Sequence, residues 1–197
     1  AYETARIMVE QGLSDFDRAR RKAAERTGIH DRRAWPTNEA IKEAVLTQRR
    51  LFRGESHASD CQRLRHQAYI AMQAFAAFSP RLVGAALTGM GDRQTGVELF
   101  LFADRPEDVI FALIQQRIPW QEAERGFRYA GGERRSHPVL RFGAGEIPFE
   151  LIVLPRQALR HPPLDPISER PQRGADTAEV ERLMGEEASG YRLEMGK

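Results

Sequence analysis

A chain of 197 residues with 41% hydrophobic and 29% charged residues can bury a sizeable core in one or two domains, which excludes a short peptide, a fibre and a disordered tail. Lys and Arg number 30 against 28 Asp and Glu; the net charge of +2 does not by itself imply nucleic-acid binding, although a pI near 8.9 leans that way. One cysteine, Cys61, excludes an intramolecular disulfide and a Cys-rich zinc site and fits a reducing compartment. No apolar run approaches the ~20 residues of a membrane span, and the N-terminus lacks a signal-peptide pattern, so the expectation is a cytoplasmic protein without a membrane partner.

Residues 1–79 read as helical. Ser14 followed by Asp17 resembles a capping box; Phe16, Ala19 and Ala23 mark one face of a helix stopping near Gly28, and Arg18, Arg20, Arg21, Lys22 and Arg26 form its other face. Pro36, Thr37 and Asn38 signal a second start, and Ile41, Ala44, Val45, Gln48 and Phe52 trace a stripe ending before Gly54. From about Ser56 to Phe78 a third helix places Cys61, Leu64, Ala68, Met72 and Phe75 on one side, closed by Ser79-Pro80.

Beyond Pro80 the period becomes extended. Leu82 to Leu87 and Val97 to Phe102 read as buried strands, and Pro106 opens a helix with Val109, Ile110, Leu113 and Ile114 on its buried face. Gly126 to Tyr129 and Val139 to Phe142 are expected strands around a Gly131-Gly132 loop, and Ile147 to Leu154 is the last. The Pro-rich stretch from His161 to Pro171 should run extended over the surface; Asp176 with Glu179 then caps a helix docking through Leu183 and Met184. The fold class is therefore α+β, divided as a helical region (1–79), a mixed-sheet domain (80–160) and an extended C-terminal segment with a short helix (161–197).

The informative segment is Leu87-Thr88-Gly89-Met90-Gly91-Asp92-Arg93-Gln94-Thr95-Gly96-Val97-Glu98-Leu99, read as a strand end, a glycine loop and a second strand. It resembles the signature of the polymerase-beta-like nucleotidyltransferase superfamily, in which a strand ends in Gly-Ser and the next carries Asp-x-Asp, with a third carboxylate on a later strand. On that resemblance Gly89 takes the glycine position, Glu98 the second strand carboxylate and Glu150 the third. Met90 stands at the serine position and Gly96 at the first carboxylate, with Asp92 as a substitute from the loop.

The resemblance implies a nucleotidyltransferase-like sheet and transfer of a nucleotidyl group from an NTP to a hydroxyl acceptor. Glu98, Glu150 and Asp92 would hold Mg²⁺, Gly89 would lie by the triphosphate and Arg93 would contact a phosphate. Strand geometry supports the spacing, because residues i and i+2 share a face and a neighbouring strand can supply a further carboxylate. The residues equally allow a lapsed member that keeps the fold as a module for a protein partner, a second copy or RNA. Glu98 shares a face with Phe100 and Phe102, and Glu150 with Ile152 and Leu154, where an arginine salt bridge would satisfy either.

Arg93, Arg125, Arg128, Arg134, Arg135 and Arg141 supply guanidinium groups suited to phosphates, or solvated and edge-protecting charges. His57 and Cys61 stand at i and i+4 without two further visible ligands, and as a base for Cys61 His66 at i+5 points well away while His137 is only a distant candidate. The glycines at 84, 89 and 91 make neither a P-loop nor a dinucleotide fingerprint.

Overall fold

The computed structural model describes the backbone at 1–11, 15–29, 31–92 and 94–194, and side chains within these ranges except at 11, 32, 49–58 and 187–194. Two compact units divide within one long helix: 1–59 with 166–168, and 60–165 with 169–197.

In the first unit, α1 (Tyr2–Gln11) packs against α2 (Phe16–Thr27), burying Ala5, Ile7 and Met8 on one helix and Ala19, Ala23 and Ala24 on the other. The α2 cap is Asp15, whose carboxylate accepts from the backbone N–H groups of Asp17 and Arg18; Ser14, the expected cap, lies outside the described residues. Gly28 ends the helix at φ +71°, as its position suggested. Arg20 donates to the carbonyl of Pro36 at 2.9 Å and also to Asn38, tying α2 to the start of α3 (Asn38–Ala74).

That helix corrects the expected break at Gly54, because it runs through both Gly54 and Ser56. A lone glycine costs about 1 kcal/mol against alanine, which apolar stripes buried on both sides of it can offset. Ile41 and Val45 are buried before it and Leu64, Ala68 and Met72 after it.

The second unit is built on one five-stranded sheet among the described residues: β1 (Arg81–Val83), β2 (Val97–Phe102), β3 (Gln121–Arg128), β4 (Arg134–Ala144) and β5 (Ile147–Leu154), in the order β1-β2-β5-β4-β3. Strands β2 and β5 are parallel and the other pairs antiparallel, so the sheet is mixed and the fold α+β. One face, with Leu99, Leu101, Leu151 and Val153, packs against Leu64, Ala68, Met72 and Phe75 of α3, Val109 and Leu113 of α5 (Pro106–Gln115), and Val180 of α6 (Thr177–Glu194). The other carries a smaller cluster of Val83, Phe100, Phe102, Val139, Ile152 and Leu154, covered by Ala158 from a 3-10 turn at Arg156–Leu159.

Several local expectations change. The apolar run from Leu82 is a strand only to Val83; Gly84 turns the chain at φ +70° and Gly84–Thr88 forms α4, whose alanines and leucine favour helix. Strands β3 and β4 are longer than expected, since half their residues are polar and face water, which hides the strand in a search for apolar runs. Ile114 is exposed on α5 while Val109 and Leu113 are fully buried. The Pro-rich segment is not simply laid over the surface: Pro162 and Pro163 are buried, Leu164 donates to the carbonyl of Arg128, and Ala175 exchanges two backbone hydrogen bonds with Leu82 on the outer edge of β1. The capping box of α6 is reciprocal, Asp176 N–H to Glu179 at 2.8 Å and Glu179 N–H to Asp176 at 2.9 Å, but the helix docks through Val180, with Leu183 and Met184 only half-buried.

Deleting residues 172–197 would remove both the Ala175 pairing and the buried Val180. The expected outcome is a melting temperature lowered by about 5 °C or more, read by circular dichroism; an unchanged value would show that the tail adds nothing to the sheet unit.

Candidate functional site

Glu98 on β2 and Glu150 on β5 are register partners, so the parallel pairing brings the two carboxylates of the expected site side by side on the smaller-core face. The side chain between them is Arg125, reaching from β3 across β4. One terminal nitrogen meets Glu98 Oε2 at 2.5 Å and the other bonds Glu150 Oε2. The second oxygen of Glu150 accepts from Arg141 Nε at 2.8 Å, Arg141 being its own register partner on β4. Two carboxylates and two guanidinium groups thus form a chain across four strands, partly exposed, with 28% and 23% of the Glu98 and Glu150 side chains accessible.

Geometry around Glu98 explains two glycines. A Cβ on Gly84 would lie 2.6 Å from Glu98 Oε1, so the Glu98 carboxylate sits against the turn that opens α4. The glycine directly after the first strand is therefore Gly84, with Ala85 beside it. Gly89, expected in that role, ends α4 at φ +74° and offers its carbonyl to Cys61 of α3, whose Sγ lies 3.6 Å from it and 3.3 Å from the Gly91 carbonyl. Buried Arg65 donates to the carbonyls of Ala86 and Leu87, pinning the end of the same helix. Gly96 adopts φ +68°, and a Cβ there would fall within the van der Waals shell of the Pro148 carbonyl oxygen, so no side chain fits at the position of the first strand carboxylate.

Asp92 is not brought to the pair as a third ligand. Its carboxylate accepts from the backbone N–H groups of Gln94 and Thr95, each at 3.0 Å, and closes the loop before β2. Arg93 lies outside the described residues, as does the side chain of His57. Among the described residues no group of three or more His, Cys, Asp and Glu is placed to hold a metal ion. The donors present do not make the magnesium site that the resemblance implies: two carboxylates converge, but on a guanidinium, and the third is engaged elsewhere.

Most of the arginine cluster is likewise paired within the protein. Arg128 bonds Glu169, and Arg135 donates to both oxygens of Glu133 at 2.7 and 3.0 Å while its guanidinium lies over the Tyr129 ring. That pairing lowers the Glu133 pKa and raises that of Arg135. Beneath them His137 is buried against Phe127 and shares a 2.8 Å hydrogen bond with the Tyr129 hydroxyl. Burial and then the Arg135 charge hold His137 below the ordinary imidazole range, and burial pushes Tyr129 upward.

Sequence reasoning weighed Arg125 and Arg141 as phosphate contacts or solvated edge charges, and an arginine salt bridge to either glutamate without saying which arginine. Their pairing with Glu98 and Glu150 needs the strand order, which no local pattern carries. Gly96 had a signal, a glycine directly before the second apolar run, whereas Gly84 lies inside the first run from Leu82 to Leu87. No protein-family model matches the chain, and no curated protein matches it. Among the described residues no helix is long and apolar enough to cross a membrane.

Two outcomes follow. Arg125→Met leaves two adjacent carboxylates without their shared cation and should destabilise the sheet unit by about 1–3 kcal/mol in denaturant unfolding at neutral pH, the exposure of the network keeping it below a fully buried loss. Burial and the Arg135 charge hold His137 below its ordinary pKa in the fold, so its contribution is complete above about pH 6.5 and is lost as pH falls below that, when the unfolded chain binds the proton first. His137→Phe should flatten that decline in melting temperature against pH; an unaltered slope would remove His137 from the acid limb.

Proposed function

We propose that the protein is a catalytically lapsed, nucleotidyltransferase-like domain that acts by binding a partner or small ligand. The observation that carries this reading is Arg125, whose guanidinium holds the place between Glu98 and Glu150 where a shared cation would sit. Gly96 supports it, since the backbone there leaves no room for a further carboxylate. The resemblance itself gains from the turn at Gly84-Ala85, which follows β1 directly as a glycine-led signature should. RNA recognition gains least, because Arg125, Arg128, Arg135 and Arg141 are committed to carboxylates.

A second reading, Mg²⁺-dependent nucleotidyl transfer from an NTP to a hydroxyl, takes its support from the convergence of Glu98 and Glu150 on neighbouring strands. It requires Arg125 to leave both carboxylates when the metal and nucleotide arrive. Calorimetric titration of each NTP with Mg²⁺ or Mn²⁺ separates the two. The expected result is no metal-dependent heat at about millimolar nucleotide; metal-dependent binding abolished by Glu98→Ala and Glu150→Ala would overturn the lapsed reading. Gly96→Asp should lower stability by about 1–3 kcal/mol or more through backbone strain and the clash with Pro148, and should not create metal binding.

A further inference from the structure

Strand β3 ends the sheet, paired to β4 on one side and to no strand on the other. In an antiparallel pair, residues alternate between those whose N–H and C=O face the neighbouring strand and those whose groups face away. Tyr129 donates to Glu133 across the hairpin at 2.8 Å, and the next residue back, Arg128, turns its carbonyl outward to the Leu164 N–H at 2.7 Å. The alternation therefore points the backbone N–H and C=O of Glu122, Glu124 and Gly126 away from β4, where they meet no hydrogen-bond partner among the described residues. The C-terminal segment reaches only the far end of this edge, so Gln121 to Phe127 is a template for one more strand.

The side chains along the edge decide which strand fits. Glu122 and Glu124 share one face, roughly 7 Å apart along the strand. Both are exposed, neither forms an ion pair among the described residues, and Glu124 accepts from the Ser136 hydroxyl at 3.0 Å. On the other face Ala123 and Phe127 pack against the smaller cluster, and Arg125 between them is spent on Glu98 and Glu150. A second copy of this edge fits poorly. Pairing β3 antiparallel with itself, short of the covered Arg128, sets glutamate against glutamate, and like charges directly opposite are destabilising. A strand with cations at those positions turns the repulsion into attraction.

We propose that this edge receives an extended segment of a partner protein, with Lys or Arg at the alternate positions opposite Glu122 and Glu124 and aliphatic residues between them, beside Ala123 and Phe127. The main-chain ladder supplies affinity and the two carboxylates select the partner. Glu98 and Glu150 are reached from the opposite face of β3, so the inference does not rest on the lapsed reading, and nucleotide binding there would leave it standing.

The probe is a fluorescein-labelled peptide, Thr-Lys-Val-Lys-Val-Lys-Thr, amidated at its C-terminus. Titration with the full-length protein at low salt should give saturable anisotropy with a Kd of about 100 μM or tighter. Replacing the lysines of the peptide by glutamate should abolish binding. Hydrogen exchange followed by NMR should slow at the amides of Glu122, Glu124 and Gly126 and stay unchanged at Ala123 and Arg125, whose N–H groups already bond β4. Gly126→Pro removes one outward donor and leaves the β3–β4 ladder whole, and a Cβ added there meets no atom within 4 Å. It should weaken binding at least about tenfold with an unaltered thermal melt; Glu122→Gln with Glu124→Gln should weaken it about fivefold. Absence of saturation at about 1 mM protein, binding without slowed exchange at the three amides, or an unchanged Kd in Gly126→Pro would overturn the proposal. Slowed exchange at the same amides on raising the protein concentration alone would assign the edge to a second copy and overturn it as well.

Discussion

Strands β2 and β5 lie parallel and adjacent at the middle of the sheet, buried on both faces, and the rest of the second unit is arranged around that burial. A parallel pair cannot be closed by a tight turn, so the chain must leave β2, cross over through α5 and the β3–β4 hairpin, and return. Leu99, Leu101, Leu151 and Val153 then meet the helices on one side, and Phe100, Phe102, Ile152 and Leu154 fill the smaller cluster on the other. The C-terminal segment completes the enclosure by pairing Ala175 with the outer edge of β1 and Leu164 with the end of β3. Unpaired strand edges are thereby shortened, which protects a sheet of this kind from pairing with other chains.

The same pairing sets the charge problem that the site solves. Glu98 and Glu150 are the carboxylates of two otherwise apolar strands, and register places them side by side. Two partly buried carboxylates on neighbouring strands call for a cation between them. The protein supplies it from β3, and Arg141 on β4 satisfies the oxygen that Arg125 leaves. An arrangement that in outline suits a divalent ion is thus completed by guanidinium groups.

Individual elements show how far the amino-acid sequence carries. Val97–Phe102 and Ile147–Leu154 were legible to the residue, because a continuous apolar run between turn signals reports a strand buried on both sides. The stripe from Cys61 to Phe75, the Gly28 stop and the Asp176–Glu179 cap were legible for equally local reasons. The strand-to-helix switch at Gly84 was not, since Leu82 to Leu87 is apolar throughout and only a positive φ at one glycine divides it. Nor was the continuity of α3 through Gly54, where packing on either side outweighs a weak local preference.

For the candidate site the sequence by itself determined the residue types, two glutamates on buried strands and a run of arginines downstream, and their alternation fixed which face each glutamate occupies. Only the tertiary structure decided what those charges meet. Strand order places Arg125 and Arg141 beside Glu98 and Glu150, and turns Asp92 and Gly89 to the work of closing a loop and ending a helix. The physical reason is that side-chain periodicity acts within a strand, whereas ion pairing acts across strands whose separation in sequence carries no trace of their separation in space.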